Sequence, residues 1–176
     1  MLYLVFDPMC NTRHKIAYFF IILSTIVFQS FISAQSTNPN GYNKFYYENG
    51  KLSSEGTMRN GKPDGYWKNY NKNGKIKIEG NRKNFLLDST WKFYDDKGRI
   101  SKMVNYTEGK KNGLTILYDT SQIITSTEMY VNDIKEGLVK TFYKSGKTKT
   151  ITPFKKGKME GTAYEYSQDS LVTAIS

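Results

Sequence analysis

Apolar and polar positions from residue 41 onward follow a pattern that repeats every 24 residues without insertion. Rows of this length begin at residues 41, 65, 89, 113, 137 and 161. In each row short aromatic or β-branched runs alternate with glycine-rich and asparagine-rich segments, and no helical stripe is present. The sixth position is aromatic in all six rows: Tyr46, Tyr70, Tyr94, Tyr118, Phe142 and Tyr166.

The tenth position of the row predicts a hairpin turn. It is glycine in four rows, at Gly50, Gly74, Gly98 and Gly146, and lies between two runs that favour strands. Glycine supplies the positive φ that tight hairpin turns require. Further turn residues between rows, as in Asn60–Gly65, keep every connection short, so neighbouring strands are antiparallel.

The predicted fold is all-β, an elongated single antiparallel meander of repeated β-hairpins, preceded by an N-terminal signal helix. Five hairpins and a half row give about eleven strands. In the first strand of a row, Trp67 and Tyr70 stand three positions apart, as do Trp91 and Tyr94. Strict alternation places such residues on opposite faces, so a bulge or strong twist is expected there.

The first 34 residues have the plan of a secretory signal peptide. Basic residues at 13–15 precede an apolar run over 16–28, and small residues lead to Ala34, after which cleavage is expected. The alternative is an uncleaved inner-membrane anchor, although Ser24 and Thr25 interrupt the run. Translation starts at Met1 or Met9. Residues 35–40 then form a linker, and residues 41–176 form the repeat domain.

Composition argues against catalysis in the exported chain. Cys10 and His14 are the only cysteine and histidine, and both precede Ala34. Their removal excludes thiol nucleophiles, imidazole bases and Cys/His metal sites. The same cut removes two basic residues and one acidic residue, which lowers the formal net charge from +10 to +9. We therefore expect a basic, non-enzymatic protein without metal, cofactor or small-molecule substrate, and adjacent carboxylates such as Asp95 and Asp96 suit a turn.

The residues Gly65, Trp67, Tyr70 and Gly74, followed by a lysine and an aliphatic residue, resemble the MORN-repeat-variant motif, including its form in YwqK-family antitoxins. The resemblance covers Gly41 to about Tyr166. It implies a sheet of hairpins that contacts proteins or membranes without catalytic residues of its own. Row four departs from the motif at Thr115 and Gln122.

The candidate partner-binding residues are aromatic and basic: Trp67, Trp91, Tyr66, Phe93, Lys68, Lys92 and Lys140. Exposed aromatic side chains make rigid anchors for a peptide or glycan. The alternative is that these rings pack against the next hairpin. Lysines align at the fourth position (Lys44, Lys68, Lys92, Lys140) and basic residues at the eleventh (Lys51, Lys75, Arg99, Lys147), which suits an anionic partner or a solvated face.

The sequence thus predicts an exported, periplasmic, surface-exposed or secreted scaffold that binds another protein. Two alternatives are an antitoxin or immunity-type protein that neutralises a toxin, and a module that binds a membrane surface or a glycan. Nucleic acid is disfavoured because the chain is expected to be exported, although aromatic and basic residues together also suit single strands.

Overall fold

The structure is a computed structural model that describes residues 37–169 and 171–175. The predicted signal helix and cleavage site lie outside these residues. Within them every regular element is a β-strand. The strands are β1 Tyr42–Tyr46, β2 Leu52–Arg59, β3 Lys62–Tyr70, β4 Ile76–Lys83, β5 Leu86–Tyr94, β6 Ile100–Thr107, β7 Lys110–Tyr118, β8 Ile124–Val131, β9 Ile134–Lys135, β10 Gly137–Phe142, β11 Thr148–Lys155, β12 Lys158–Met159, β13 Ala163–Tyr166 and β14 Val172–Ile175.

All of these strands belong to one antiparallel sheet in which neighbours along the chain are neighbours in the sheet. The main path contains twelve strands, while the short β9 pairs with β8 and the short β12 pairs with β11. The all-β meander predicted from the sequence is confirmed. The strand count differs from the expected eleven because Val172–Ile175 pairs with Ala163–Tyr166, which makes row six a complete hairpin.

In rows one to five the turn within the row is a three-residue hairpin loop closed by a left-handed residue. In row two, the N–H of Gly74 donates to the carbonyl of Asn71 at 2.8 Å, and Gly74 has a φ of 89°. The predicted turn glycines Gly50, Gly98 and Gly146 also have positive φ. Gln122 takes the same conformation in row four, and its amide bonds to the backbone of Ile100 on the preceding row. Where Gln122 replaces glycine, its side chain therefore forms two hydrogen bonds with the neighbouring row.

The turns between rows are shorter than the sequence suggested. Asn60 and Gly61 both have positive φ, as two-residue hairpin turns of the mirror-image type require. The strand resumes at Lys62, so Pro63 and Asp64 are strand residues rather than turn residues. Two-residue connections hold successive rows in a fixed register.

A register shift occurs near the predicted place, but the unpaired residue, Lys77 or Ser101, lies in the second strand of the row rather than in the first. Trp67 and Tyr70 lie on opposite faces, as strict alternation requires. The register shifts between Asn69 and Tyr70 in β3, and between Phe93 and Tyr94 in β5.

A second shift lies where a row pairs with the next one, between Gly56 and Met58 of β2 and between Glu79 and Asn81 of β4. Rows one to three therefore carry two irregularities each, which increase the local twist and change the direction of the side chains beside them.

Candidate functional site

One face of the sheet, which we call the tryptophan face, holds the buried core. Its central line of cross-strand neighbours joins residues from seven successive strands: Asn43, Gly56, Trp67, Gly80, Trp91, Val104 and Thr115. All seven are buried, and Trp91 is only 1% exposed. The indole rings lie on the glycines opposite them, which gives this single-layer sheet a compact core.

The two tryptophans also satisfy backbone groups at the bulges. The indole N–H of Trp67 donates to the carbonyl of Thr57 at 2.9 Å, and that of Trp91 donates to the carbonyl of Asn81 at 2.8 Å. The guanidinium of Arg82 lies over the Trp91 ring, 5.4 Å from its centroid. Trp67 and Trp91 are therefore packing residues in this fold, with no free ring face for a partner.

The aromatic candidates beside the tryptophans lie on different faces. Phe93 follows Trp91 on the tryptophan face, half-buried, with the ammonium of Lys102 4.5 Å from its ring centroid. Tyr66 lies on the opposite face and is exposed. Burial and a hydrogen bond to Glu79 raise the pKa of the Tyr66 hydroxyl. The sheet therefore does not gather these aromatic candidates into one binding ladder.

The opposite face, which we call the lysine face, carries the fourth-position lysines. In the N-terminal half, cross-strand register alternates lysine with glutamate: Lys44, Glu55, Lys68, Glu79 and Lys92. The lysines that align at the fourth position of successive rows do not lie directly beside one another. The second strand of each row separates them, and in rows one and two it contributes a glutamate. The charges here balance within the sheet.

Tyrosines at the sixth position bind the glutamates of this line, and each tyrosine, its glutamate and the flanking lysines form a lysine–glutamate–tyrosine cluster. The hydroxyl of Tyr70 donates to Glu55 and that of Tyr94 donates to Glu79, each at 2.5 Å. The Tyr70 hydrogen bond holds the pKa of the Glu55 carboxyl below its ordinary value, although burial opposes the shift. Burial, followed by the bond to the carboxylate, raises the pKa of both tyrosines well above the ordinary value. The N-terminal half of the face is thus closed by internal polar contacts.

The C-terminal half of the lysine face has different chemistry. The same cross-strand line continues as Met103, Ile116, Thr127, Lys140, Ile151 and Tyr164. Lys140 lies opposite Thr127 and Ile151 rather than opposite a glutamate. It is half-buried and forms no hydrogen bond or ion pair with any residue in 37–169 or 171–175. A half-buried ammonium without a counter-ion favours an anionic partner.

A cavity of about 260 Å³ opens beside Thr127, the cross-strand partner of this lysine. It is lined by Ile123, Ile124, Thr127, Phe142 and Gly146. Phe142 and Thr127 occupy the places of the hydrogen-bonded Tyr94 and Glu79 two rows earlier. Replacement of that pair by phenylalanine and threonine removes the phenolic hydroxyl and the carboxylate, and leaves a mainly apolar lining in which the Thr127 hydroxyl is the polar side-chain group.

Exposed aliphatic side chains extend the same surface toward the other end of the strands. Leu114 and Met129 are cross-strand partners on β7 and β8, and Leu138 on β10 lies opposite Pro153. Leu114, Met129 and Leu138 are all exposed. We call this surface, formed by Leu114, Ile116, Met129, Leu138, Lys140 and Ile151 with the cavity, the apolar platform.

Basic residues at the eleventh position act within the fold. The side chains of Lys75, Arg99 and Lys147 donate to the backbone carbonyls of Asp96, Thr120 and Gln168, each in the next turn along the sheet. This column therefore ties successive turns together. Its alignment, which suggested an anionic partner, has a structural role in these three rows.

Residues 37–169 and 171–175 contain neither a cluster of metal-ligand side chains nor a helix that could cross a membrane. No group of three or more His, Cys, Asp or Glu residues lies close enough to hold a metal ion in residues 37–169 and 171–175. Over the same ranges, none of the elements is a helix with the length and apolarity that a membrane crossing requires.

The model of the MORN repeat variant matches residues 39–60, 63–84 and 135–156. Each segment begins two residues before a row, so the matches share the 24-residue phase and confirm the resemblance at three repeats. No curated protein matches the chain. Among solved structures, a similar chain is one described as the GtfA/B complex bound to UDP and GlcNAc, with 10% sequence identity and a TM-score of 0.23. That match covers 80% of this chain and 25% of the other.

Proposed function

We propose that this chain is an exported, non-enzymatic scaffold that binds another protein through the apolar platform. Repeats of the matched kind are generally modules that bind proteins or membranes. The observation that carries the proposal is the change of chemistry along the lysine face, from self-satisfied lysine–glutamate–tyrosine clusters to exposed aliphatic residues around Lys140. Apolar surface rimmed by polar residues is typical of interaction sites.

The platform suits a protein more than a solvated surface. Leu138 lies on the lysine face, is 48% exposed and belongs to the platform. Leu86 lies on the same face and is 47% exposed, but it lies outside the platform, so it is a matched control position. The backbone of this part of the sheet is continuous from β7 to β11, so a partner meets a surface that is already formed. A preformed surface loses little conformational entropy on binding.

A photo-crosslinking amino acid placed at Leu138 tests this function in cells that express the full chain, with the same substitution at Leu86 as the matched control. We expect one protein adduct from position 138 and none from position 86. Equal adducts from both positions, or no protein adduct from either, contradict the proposal. Retention on lipid vesicles or glycan that fades with salt, without a protein adduct, instead supports the membrane or glycan alternative.

Export is part of this proposal and rests on the order of basic, apolar and small residues before Ala34. Mass spectrometry of the chain recovered from the cell envelope or the medium tests it. A mature N-terminus at Gln35 is expected. A chain that retains residues 1–34 in the inner membrane supports the anchor, and a full-length chain confined to the cytosol contradicts export.

A toxin-neutralising role is a narrower form of the same function. In that case the bound protein is a toxin encoded nearby, and deletion of this gene harms the cell only while that neighbouring gene is intact. Unchanged growth in a strain that retains the neighbour contradicts the narrower role without affecting the broader one.

A further inference from the structure

Row five interrupts the polar contacts of the lysine face at two adjoining points. In rows one to three the fourth-position lysine lies opposite a glutamate, whereas Lys140 lies opposite Thr127 and Ile151. Thr127 also lines the cavity beside Phe142. Thr127 thus lines the cavity and also lies opposite Lys140, so the unpaired lysine and the cavity are separated by one cross-strand position.

We propose that Lys140 and this cavity together recognise one short unit of the partner protein, an acidic residue adjacent to a bulky apolar residue. The inference rests on the proposed protein-binding function. Lys140 pairs with the carboxylate, and the apolar side chain enters the space between Ile124, Thr127 and Phe142. The rest of the platform, including Leu138, covers the flanking residues of the same segment.

Charge complementarity selects this occupant. Lys140 is half-buried between Thr127 and Ile151 and has no counter-ion within the part of the chain that the structure describes. A carboxylate at this position relieves the uncompensated charge, while a wholly apolar segment buries it further at a cost. The net positive charge of the chain, +10 over all residues, also favours approach of an acidic segment.

The other rows suggest a double substitution that gives Lys140 an internal counter-ion and fills the cavity with side chains that this sheet already accommodates elsewhere. Thr127→Glu combined with Phe142→Tyr places in row five the glutamate and tyrosine that Glu79 and Tyr94 form in earlier rows. The new tyrosine hydroxyl then donates to the new glutamate, which also lies opposite Lys140. The double variant is expected to fold, because the same pair is accommodated in two rows of this sheet.

A phage-displayed library of random 12-residue peptides, selected on the chain carrying residues 35–176 and on the full chain, identifies the preferred segment. Enriched peptides are expected to share an aspartate or glutamate next to leucine, isoleucine, methionine or phenylalanine. The Kd of the best peptide should weaken by about tenfold or more in Lys140→Gln and in the closing double variant, and by less than about twofold in Lys92→Gln. Circular dichroism and thermal melts establish that each variant is folded.

Several results overturn the inference. These are enriched peptides that lack an acidic residue, equal weakening by Lys140→Gln and Lys92→Gln, or undiminished binding by the folded double variant. Binding of phosphatidylglycerol vesicles that depends on Lys140, in the absence of any enriched peptide, assigns the site to lipid instead. The crosslink at Leu138 reports protein contact whatever sequence the partner has. These results therefore contradict the acidic–apolar motif without contradicting the proposed protein-binding function, which the crosslink tests separately.

Discussion

The ring of Trp91 lies directly on the backbone of Gly80 in the neighbouring strand. A Cβ added at Gly80 would come within 2.5 Å of the indole, well inside contact distance. The same arrangement joins Trp67 to Gly56. Where the third position is the smaller Thr115, the residue opposite is Val104. Each tryptophan ring therefore requires a glycine in the preceding strand, on which it lies, whereas the following strand carries Val104 beside Trp91.

Gly80→Ala should destabilise the protein by about 1–3 kcal/mol, since the added methyl must displace a ring that is 1% exposed. Urea unfolding followed by circular dichroism measures the change. The double variant Gly80→Ala with Trp91→Leu should be less destabilised than the sum of the two single changes, because the smaller side chain leaves room for the methyl. Strict additivity would contradict the packing relationship.

Tyr94→Phe should cost about 1–3 kcal/mol of unfolding free energy, because it removes a hydrogen bond from the buried carboxylate of Glu79. The matched control is Tyr118→Phe at the same position of the next row. Tyr118 donates only to the sulfur of Met103, at 3.4 Å, so its loss should cost less than about 0.5 kcal/mol. Equal losses of unfolding free energy in the two variants would show that the hydrogen bond from Tyr94 to Glu79 adds little to stability.

Stability should fall in acid because Glu55 has a lowered pKa in the folded protein. A lowered folded pKa contributes stability above the pKa of the unfolded chain, and this contribution is lost as pH falls through the folded value. The thermal midpoint should therefore hold between about pH 5 and 7 and decline below about pH 4.5. Glu55→Gln should lower the midpoint at neutral pH and flatten the acid decline.

Glu48→Gln serves as the control for that experiment because Glu48 is an exposed carboxylate in the adjoining turn. Its midpoint should stay near that of the wild type at neutral pH. An acid decline as steep in Glu55→Gln as in the wild type would assign the pH dependence to other groups, among them Glu128. Hydrogen bonds from Tyr130 and Lys135 lower the pKa of Glu128 against the opposing effect of burial.

Gly74→Ala should cost about 1–2 kcal/mol through the backbone alone. Gly74 has a φ of 89°, and a Cβ built there meets nothing within 4 Å, so sterics with neighbours do not contribute. Gly74→Asn should recover much of the loss, because asparagine tolerates left-handed conformations better than alanine. Chemical unfolding of the two variants side by side measures the difference, and equal destabilisation would place the cost elsewhere.

Local chemistry made the turns within the rows predictable, because the positive φ of Gly74 follows from a glycine between two strand-forming runs. The bulges were less predictable: Trp67 and Tyr70 keep to opposite faces, and the unpaired residue is Lys77 in the next strand. The links between rows were less predictable. Both Asn60–Gly61 and Pro63–Asp64 have turn-forming character, but the turn consists of Asn60 and Gly61 alone, and Pro63 and Asp64 belong to the strand.

Repetition determined the fold. A 24-residue period with a turn in each half permits only short antiparallel connections, so one sequential sheet follows from the sequence alone. Register between rows was decided by the tertiary structure, because a cross-strand neighbour belongs to a different part of the chain. Only that register places Glu55 between Lys44 and Lys68, buries Trp91 on Gly80, and leaves Lys140 without a carboxylate beside an apolar cavity.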